Sequence, residues 1–239
     1  MSLIDDTAAW LTDHANWTGP AGIPTRVEEH LLITIVVLAA SVVIALPIGM
    51  FIGHTGRGIV LAVAVSGGLR SIPTLGLVTL FGIWLGIGLE APVIALLVLA
   101  TPPILTGAYA GFRAVDRDVV DTARAIGMTP WMVVHDVELP LAATSVLNGL
   151  RSATLQIVAT VTVAAYVADR GLGRYIIEGL RTRQYGEMLG GSVLVILLAL
   201  LLDALFAGLV HLLRPAHVRA ASRLQKVTQP DTTERHLVT

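Results

Sequence analysis

Long apolar runs alternate with short polar connections along most of this 239-residue chain. A helix needs about twenty mostly apolar residues to cross a bilayer, so each such run predicts a membrane span. The second run is too long for one straight helix, and because Gly67, Gly68 and Pro73 interrupt it, we interpret it as one broken span. The third is expected to kink or unwind at Pro102 and Pro103. About five spans are therefore predicted, at residues 30–53, 59–88, 91–112, 152–168 and 192–213.

The composition indicates an all-α polytopic membrane protein that leaves no room for a large soluble catalytic domain. Hydrophobic residues make up 54% of the chain and charged residues 14%, with a mean hydropathy of +0.77. The absence of cysteine excludes disulfides and a cysteine nucleophile. Scattered basic residues argue against a nucleic-acid surface, and the sequence has neither a Gly-rich phosphate loop nor paired histidines. We therefore expect no catalytic activity, no metal site and no bound ATP in this chain.

The charges near the span ends predict the orientation of the chain. The loop at residues 113–140 and the polar tail at 214–239 carry several arginines, whereas the segment at 1–29 is acidic. Five spans then place 1–29 outside, where an amphipathic stretch could lie on the membrane surface, and both basic segments in the cytoplasm. The transmembrane domain comprises 30–213, and its first span is expected to direct insertion, since no signal-peptide pattern precedes it. The connection at 169–187 conflicts with this orientation, because it would lie outside with four arginines.

The loop at residues 113–140 has unusually complete helix-boundary signals. Asp116 is placed to cap a short helix, and Gly127 supplies a left-handed stop. Thr129 followed by Pro130 is a second start signal. A short helix between two sharp turns forms a rigid knob of the kind that binds a groove on a soluble partner. On these signals alone, an ordinary well-capped loop between spans is an equal alternative.

The same loop contains a spaced motif: an acid with two small residues, a glycine, and an aliphatic-x-Leu-Pro ending, here Asp121, Thr122, Ala123, Gly127, Val137, Leu139 and Pro140. This motif resembles the coupling signature of the binding-protein-dependent ABC importer permeases. Asp121 stands where that family usually has Glu, and Thr122 where it usually has Ala. In the family, this segment is a coupling helix that docks on the ATPase subunit, and the resemblance implies the same role here.

The resemblance extends over roughly residues 27–213 and favours the branch that carries quaternary-amine osmoprotectants such as glycine betaine, carnitine and choline. It implies a permease of the type I ABC importer fold in a prokaryotic inner membrane. It also implies cytoplasmic ATPase subunits that hold ATP and Mg²⁺, a second permease subunit, identical or paralogous, and an external substrate-binding protein. Three alternatives remain: the same machine with another cargo such as an amino acid, a stand-alone ion-coupled carrier, and a structural membrane protein.

The helix predicted to run from Pro140 through the fourth span carries a polar stripe, because four uncharged polar residues recur at every fourth position: Asn148, Ser152, Gln156 and Thr160. Hydrocarbon penalises such a stripe, so it is expected to face protein or water. It either lines a path for a polar zwitterion or mediates ordinary helix packing.

Asp203 lies near the middle of the fifth predicted span, where an ionised carboxylate is costly unless it is paired or hydrated. It is a candidate gate or counter-charge for a cationic ligand. The alternative is an ion pair with Arg70 or Arg151 on another helix, which we favour.

Overall fold

The computed structural model describes residues 2–213, and every regular element in that range is helical. The polar tail at 214–239, predicted to be cytoplasmic, lies outside the described residues. The elements are α1 (Leu3–Thr12), a 3₁₀ turn (His14–Trp17), α2 (Ile23–Thr55), α3 (Ile59–Ser71), α4 (Thr74–Leu85), α5 (Glu90–Arg113), α6 (Arg117–Ala125), α7 (Pro130–Met132), a π-helix (Val133–Glu138), α8 (Leu139–Ala164), α9 (Gly173–Thr182) and α10 (Tyr185–Leu213).

Helices α2, α5 and α10 are long and apolar enough to cross a membrane, and α3 with α4 forms a bent pair that can serve as a further span. The axes of this pair are bent by 84°. Ile72 at the break has an extended backbone, with φ −74° and ψ 126°. That conformation is favoured before a proline, because the α region would clash with the ring of Pro73. The predicted break is thus confirmed at Pro73, whereas α3 continues without interruption through Gly67 and Gly68.

Helix α8 corresponds to the fourth predicted span, but its bounds differ from the predicted 152–168. The helix begins at Leu139, where it continues the π-helix, and ends at Ala164. It is long enough to cross a membrane, yet it is not among the helices that are apolar enough by composition. Because it packs against α2, α5 and α10, much of its surface meets protein rather than lipid, so polar residues cost less there.

Small residues bring α5 and α8 into close contact. A Cβ atom on Gly107 of α5 would lie 2.7 Å from the Cα of Gly149 of α8. Backbone approach through glycine is a common mode of helix packing in membranes. Helix α5 continues unbroken through Pro102 and Pro103, so the expectation of unwinding there was wrong. Both prolines are buried, and the neighbouring helices hold the segment in place.

The N-terminal segment packs on the bundle. Trp10 of α1 meets Tyr175 of α9 edge to face, with ring centroids 5.0 Å apart. The Tyr175 hydroxyl donates a hydrogen bond to the Ala21 carbonyl at 2.6 Å, and burial raises the pKa of this phenol to about 12. Helix α2 begins at Ile23 rather than at residue 30, so the predicted boundary at residue 29 falls inside a helix.

Ion pairs join the start of α2 to the connection between α8 and α9. The buried Arg26 donates to the backbone and side-chain oxygens of Asp169, at 2.8 and 3.3 Å. Glu29 accepts a hydrogen bond from the Gly171 backbone at 2.9 Å. Further pairs in this network are Arg170 with Glu29, Arg174 with Asp169 and Glu178, and Arg181 with Glu178. Most of the arginines that conflicted with the predicted orientation are thus offset by nearby acids.

Candidate functional site

The loop at residues 113–140 forms the compact knob that its boundary signals predict. The Asp116 carboxylate accepts a hydrogen bond from the backbone of Asp118 at 3.0 Å and so caps α6. Gly127 has φ +90°, the left-handed conformation that ends a helix. The Thr129 hydroxyl accepts from the Met132 backbone at 3.4 Å and starts the next helical segment. These local predictions are confirmed.

The interior of the knob is apolar, and it includes one residue of the motif. Ala123 is only 6% exposed and packs in one cluster with Val115, Val120 and Val133. Asp121 and Thr122, by contrast, are exposed. The structure therefore separates the first three motif residues: Ala123 holds α6 on its base, while the other two face outward. Gly127 is exposed just after the end of α6. Val137 in the π-helix and Leu139 at the start of α8 are half-buried, and Pro140 is the second residue of α8.

The outer face of the knob exposes large apolar side chains. Ile126 is 76% exposed and Trp131 is 71% exposed, and Val119 and Met132 are also open to solvent. A groove of about 410 Å³ includes Ile126 and Val119 in its lining, together with Asp118, Thr122, Ala123, Met128 and Val137. Exposed apolar groups clustered around a groove mark an interaction site. The arrangement suits docking of a protein surface.

Glu138 occupies the unspecified position of the motif, and the motif itself assigns it no role. Its side chain is fully buried, and its Oε2 accepts a hydrogen bond from Nδ1 of His54 at 2.5 Å. Nη1 of Arg117 lies 4.0 Å from its Oε1. The available signal was an acid between two aliphatic residues, Val137 and Leu139, at the start of a membrane helix. Such an acid needs a partner if it is buried.

The polar stripe of α8 divides between an open and a buried part. Asn148 and Ser152 are exposed and Gln156 is half-buried, whereas Thr160 is 8% exposed and lies in the interior. Within residues 2–213, none of these four side chains hydrogen-bonds to another residue. The first three therefore form a polar face on α8 to which no other residue within 2–213 is hydrogen-bonded, and at membrane depth such a face needs protein or water beside it.

Asp203 of α10 forms a two-point ion pair with Arg151 of α8. The Arg151 Nε and Nη2 atoms donate to the two carboxylate oxygens at 2.5 and 2.6 Å. Of the two partners that the sequence offered, Arg70 makes no such contact within the described residues. A bidentate pair of this kind is among the stronger charge-assisted interactions. It occupies both oxygens that a gate or a ligand counter-charge would use.

A second cavity lies at the other end of α2, the end where Arg26 meets Asp169. It has a volume of about 690 Å³ and is lined by residues 85–90 and 167–170. Its charged side chains are Glu90, Asp169 and Arg170, of which the last two already belong to ion pairs. Among residues 2–213, no three His, Asp or Glu side chains are grouped as metal ligands would be.

Three comparisons place the chain among known proteins. A family profile described as binding-protein-dependent transport system inner membrane component matches residues 30–218. The choline transport system permease protein OpuBB of Bacillus subtilis (strain 168) is 31% identical over 199 residues, covering 83% of this chain and 92% of the relative. The glycine betaine/carnitine/choline transport system permease protein OpuCB of the same organism is 30% identical, covering 76% and 84%.

Solved structures agree with these relatives. The methionine ABC transporter MetNI, in an inward-facing conformation, contains a chain that superposes with a TM-score of 0.67 at 25% sequence identity. The match covers 81% of this chain and 96% of that one.

Proposed function

Since the chain belongs to the family of binding-protein-dependent transport system inner membrane components, we propose that it imports a small quaternary amine using ATP hydrolysed by a separate subunit. The observation that carries the coupling part of this proposal is the knob at 113–140. It combines the motif residues Asp121 and Gly127 with an exposed apolar face around Ile126 and Trp131. An exposed apolar patch on a connection between spans favours a protein that works with a partner over a stand-alone carrier.

The knob provides the contact for the ATPase subunit. Helix α6 of the knob is capped at both ends and packs against the apolar interior of the knob. It can therefore be displaced as a rigid unit when the ATPase subunit moves. The groove beside α6 accepts apolar side chains, and Asp118 supplies a charged group in its lining. ATP and Mg²⁺ are bound by that partner, and this chain contributes docking and movement only.

The docking role fixes the proposed orientation. The knob is attached to the C-terminal end of α2 through His54 and Glu138, whereas the N-terminal segment and α9 lie at the opposite end, around Arg26. If the knob faces the cytoplasm, residues 1–29 lie outside and α10 delivers the tail at 214–239 to the cytoplasm. The transmembrane domain at 30–213 then carries the outer cavity beside residues 85–90, close to where an external binding protein would deliver its ligand.

The open polar face of α8 is the proposed lining of the translocation path. Asn148, Ser152 and Gln156 offer neutral hydrogen-bond partners, which can pass a zwitterion without trapping it. The single chain leaves this face uncovered, so a second permease subunit, identical or paralogous, is required to enclose the path. Thr160 is assigned to helix packing, and Asp203 to the ion pair with Arg151.

The cargo assignment rests on the named relatives. OpuBB is described as a choline permease, and OpuCB as a permease for glycine betaine, carnitine and choline. A second candidate cargo is an amino acid, because a chain of the methionine transporter MetNI shares the fold at 25% identity.

Uptake by cells that lack their own osmoprotectant importers tests the proposal. The chain is expressed together with its ATPase and binding-protein partners, and radiolabelled choline, glycine betaine, carnitine and methionine are offered separately. We expect accumulation of at least one quaternary amine, and abolition of that uptake when the ATPase subunit is inactivated. Accumulation of methionine alone would select the second candidate. Uptake that continues without ATPase activity would contradict the ATP-driven mechanism.

A further inference from the structure

Three segments of the chain meet at the buried carboxylate of Glu138. Glu138 is the last residue of the π-helix and adjoins α8, so its backbone moves with the start of that helix. His54 lies in the last turn of α2 and contacts one carboxylate oxygen. Arg117 is the first residue of α6 and lies 4.0 Å from the other oxygen.

The environment of the Glu138 carboxylate is energetically unfavourable for a charged group. The Glu138 side chain is fully buried, and a buried carboxylate is costly unless charged or hydrogen-bonding groups surround it. His54 satisfies Oε2, but Oε1 accepts no hydrogen bond from any described residue. The guanidinium of Arg117 is half exposed, so a small rotation would bring it to this oxygen. An incompletely satisfied buried acid is poorly explained by stability alone.

The backbone at the junction is also unusual. Val133–Glu138 is wound as a π-helix between the α-helical segments on either side. Wide π turns are rare and occur frequently at functional sites, where a helix changes register or direction. Here the π-helix separates the knob from α8, and its last residue is the one fastened to α2.

We propose that Glu138 is the positioning residue that makes α2, α6 and α8 move together when the ATPase subunit displaces the knob. The His54 hydrogen bond ties α2 to the base of the knob, and Arg117 engages the second oxygen as α6 is displaced. The inference rests on the proposed function, since it assigns the transmission of movement within that machine. Without the carboxylate, the knob still docks, but its displacement reaches the spans inefficiently.

The test measures transport and ATP hydrolysis together in the complete importer, reconstituted in liposomes with the wild-type chain or with Glu138→Gln. Glutamine keeps the size and can still accept from His54, so the chain is expected to fold. We expect the ratio of substrate imported to ATP hydrolysed to fall about tenfold, with little change in ATPase binding. A purely stabilising role would lower the melting temperature and the amount of complex, and would leave this ratio unchanged.

Two further variants keep the inference falsifiable. His54→Ala removes the imidazole that contacts the same carboxylate, from a partly exposed residue, and it serves if Glu138→Gln does not insert. In the double variant, the ratio should be no lower than in the poorer single variant, because both changes act on one junction. Asp136→Asn is the matched control, since it makes the same acid-to-amide change at an exposed position of the same π-helix.

The outcomes separate the two claims. If the wild-type importer shows ATP-driven uptake and both single variants keep the wild-type ratio, the role of Glu138 is overturned while the proposed function stands. If the wild-type chain assembles with no ATPase, the proposed function itself fails. A reduced ratio in both variants, with Asp136→Asn normal, supports the inference.

Discussion

The exposed aromatic side chain of Trp131 gives a quantitative prediction for the docking surface. Trp131 is 71% exposed, and a tryptophan presents about 150–250 Å² for burial. Covering the exposed part would remove roughly 100–180 Å² from water, which contributes roughly 2.5–4.5 kcal/mol at about 25 cal/mol per Å². In Trp131→Ala, neighbouring groups can move into part of the vacated space and regain some of this free energy. We therefore expect the substitution to cost about 2–3 kcal/mol of binding free energy, which weakens ATPase binding roughly 30- to 150-fold.

The assay for this prediction is a titration of the purified ATPase subunit against the permease held in lipid nanodiscs. Trp17→Ala is the matched control, because Trp17 is also exposed but belongs to the N-terminal segment at the other end of the bundle. We expect the control to bind like the wild type. Equal ATPase affinity for Trp131→Ala and wild type, with both inserted normally, would refute the assignment of this face as the docking surface.

Other positions give independent predictions. Gly127→Ala places a Cβ at φ +90°, which costs about 1–2 kcal/mol; reduced ATPase affinity in the same titration is expected, and unchanged affinity would contradict the need for this stop. Gly149→Leu should prevent close contact of α5 and α8, so the yield of monodisperse protein in detergent should collapse, and a normal yield would count against the helix crossing. Arg151→Met and Asp203→Leu should each lower the melting temperature, and the double variant should recover part of the loss; a double variant as unstable as the sum would argue against a direct pair. Gln156→Leu should reduce uptake while leaving the assembled complex intact, and wild-type uptake would place the path elsewhere.

Local signals in the sequence were sufficient for the knob and for the broken span. A proline restricts the residue before it, so Pro73 located the break in the second span. Asp116 and Gly127 act on their immediate neighbours, and the structure shows the predicted cap and the predicted positive φ. Such features depend on a few consecutive residues, which is why they can be read without knowing the fold.

Contacts between distant residues could not be predicted in the same way. The partner of Asp203 is selected by the packing of α8 against α10, and the sequence left Arg70 and Arg151 as equal choices. His54 and Glu138 are adjacent only because α2 ends beside the knob. The sequence placed the first span at residue 30, because the polar residues before it are unfavourable in a membrane helix. The structure starts α2 at Ile23, and the polar residues there are paired with the connection after α8, which the sequence alone does not show.

The burial of Ala123 shows the limit of a motif in isolation. The resemblance assigned all of its residues to one coupling role, but Ala123 lies in the apolar base of the knob. A charged replacement at Ala123 would therefore disturb the knob itself as well as its contact with a partner, whereas Ile126 and Trp131 can be changed without entering the interior.

Affinity capture of the tagged chain from native membranes under mild extraction tests the central claim most directly. The account predicts that a nucleotide-binding ATPase subunit co-purifies, and that its ATP hydrolysis rises when a quaternary amine and its binding protein are added. Recovery of the intact chain with no ATPase subunit would contradict the account.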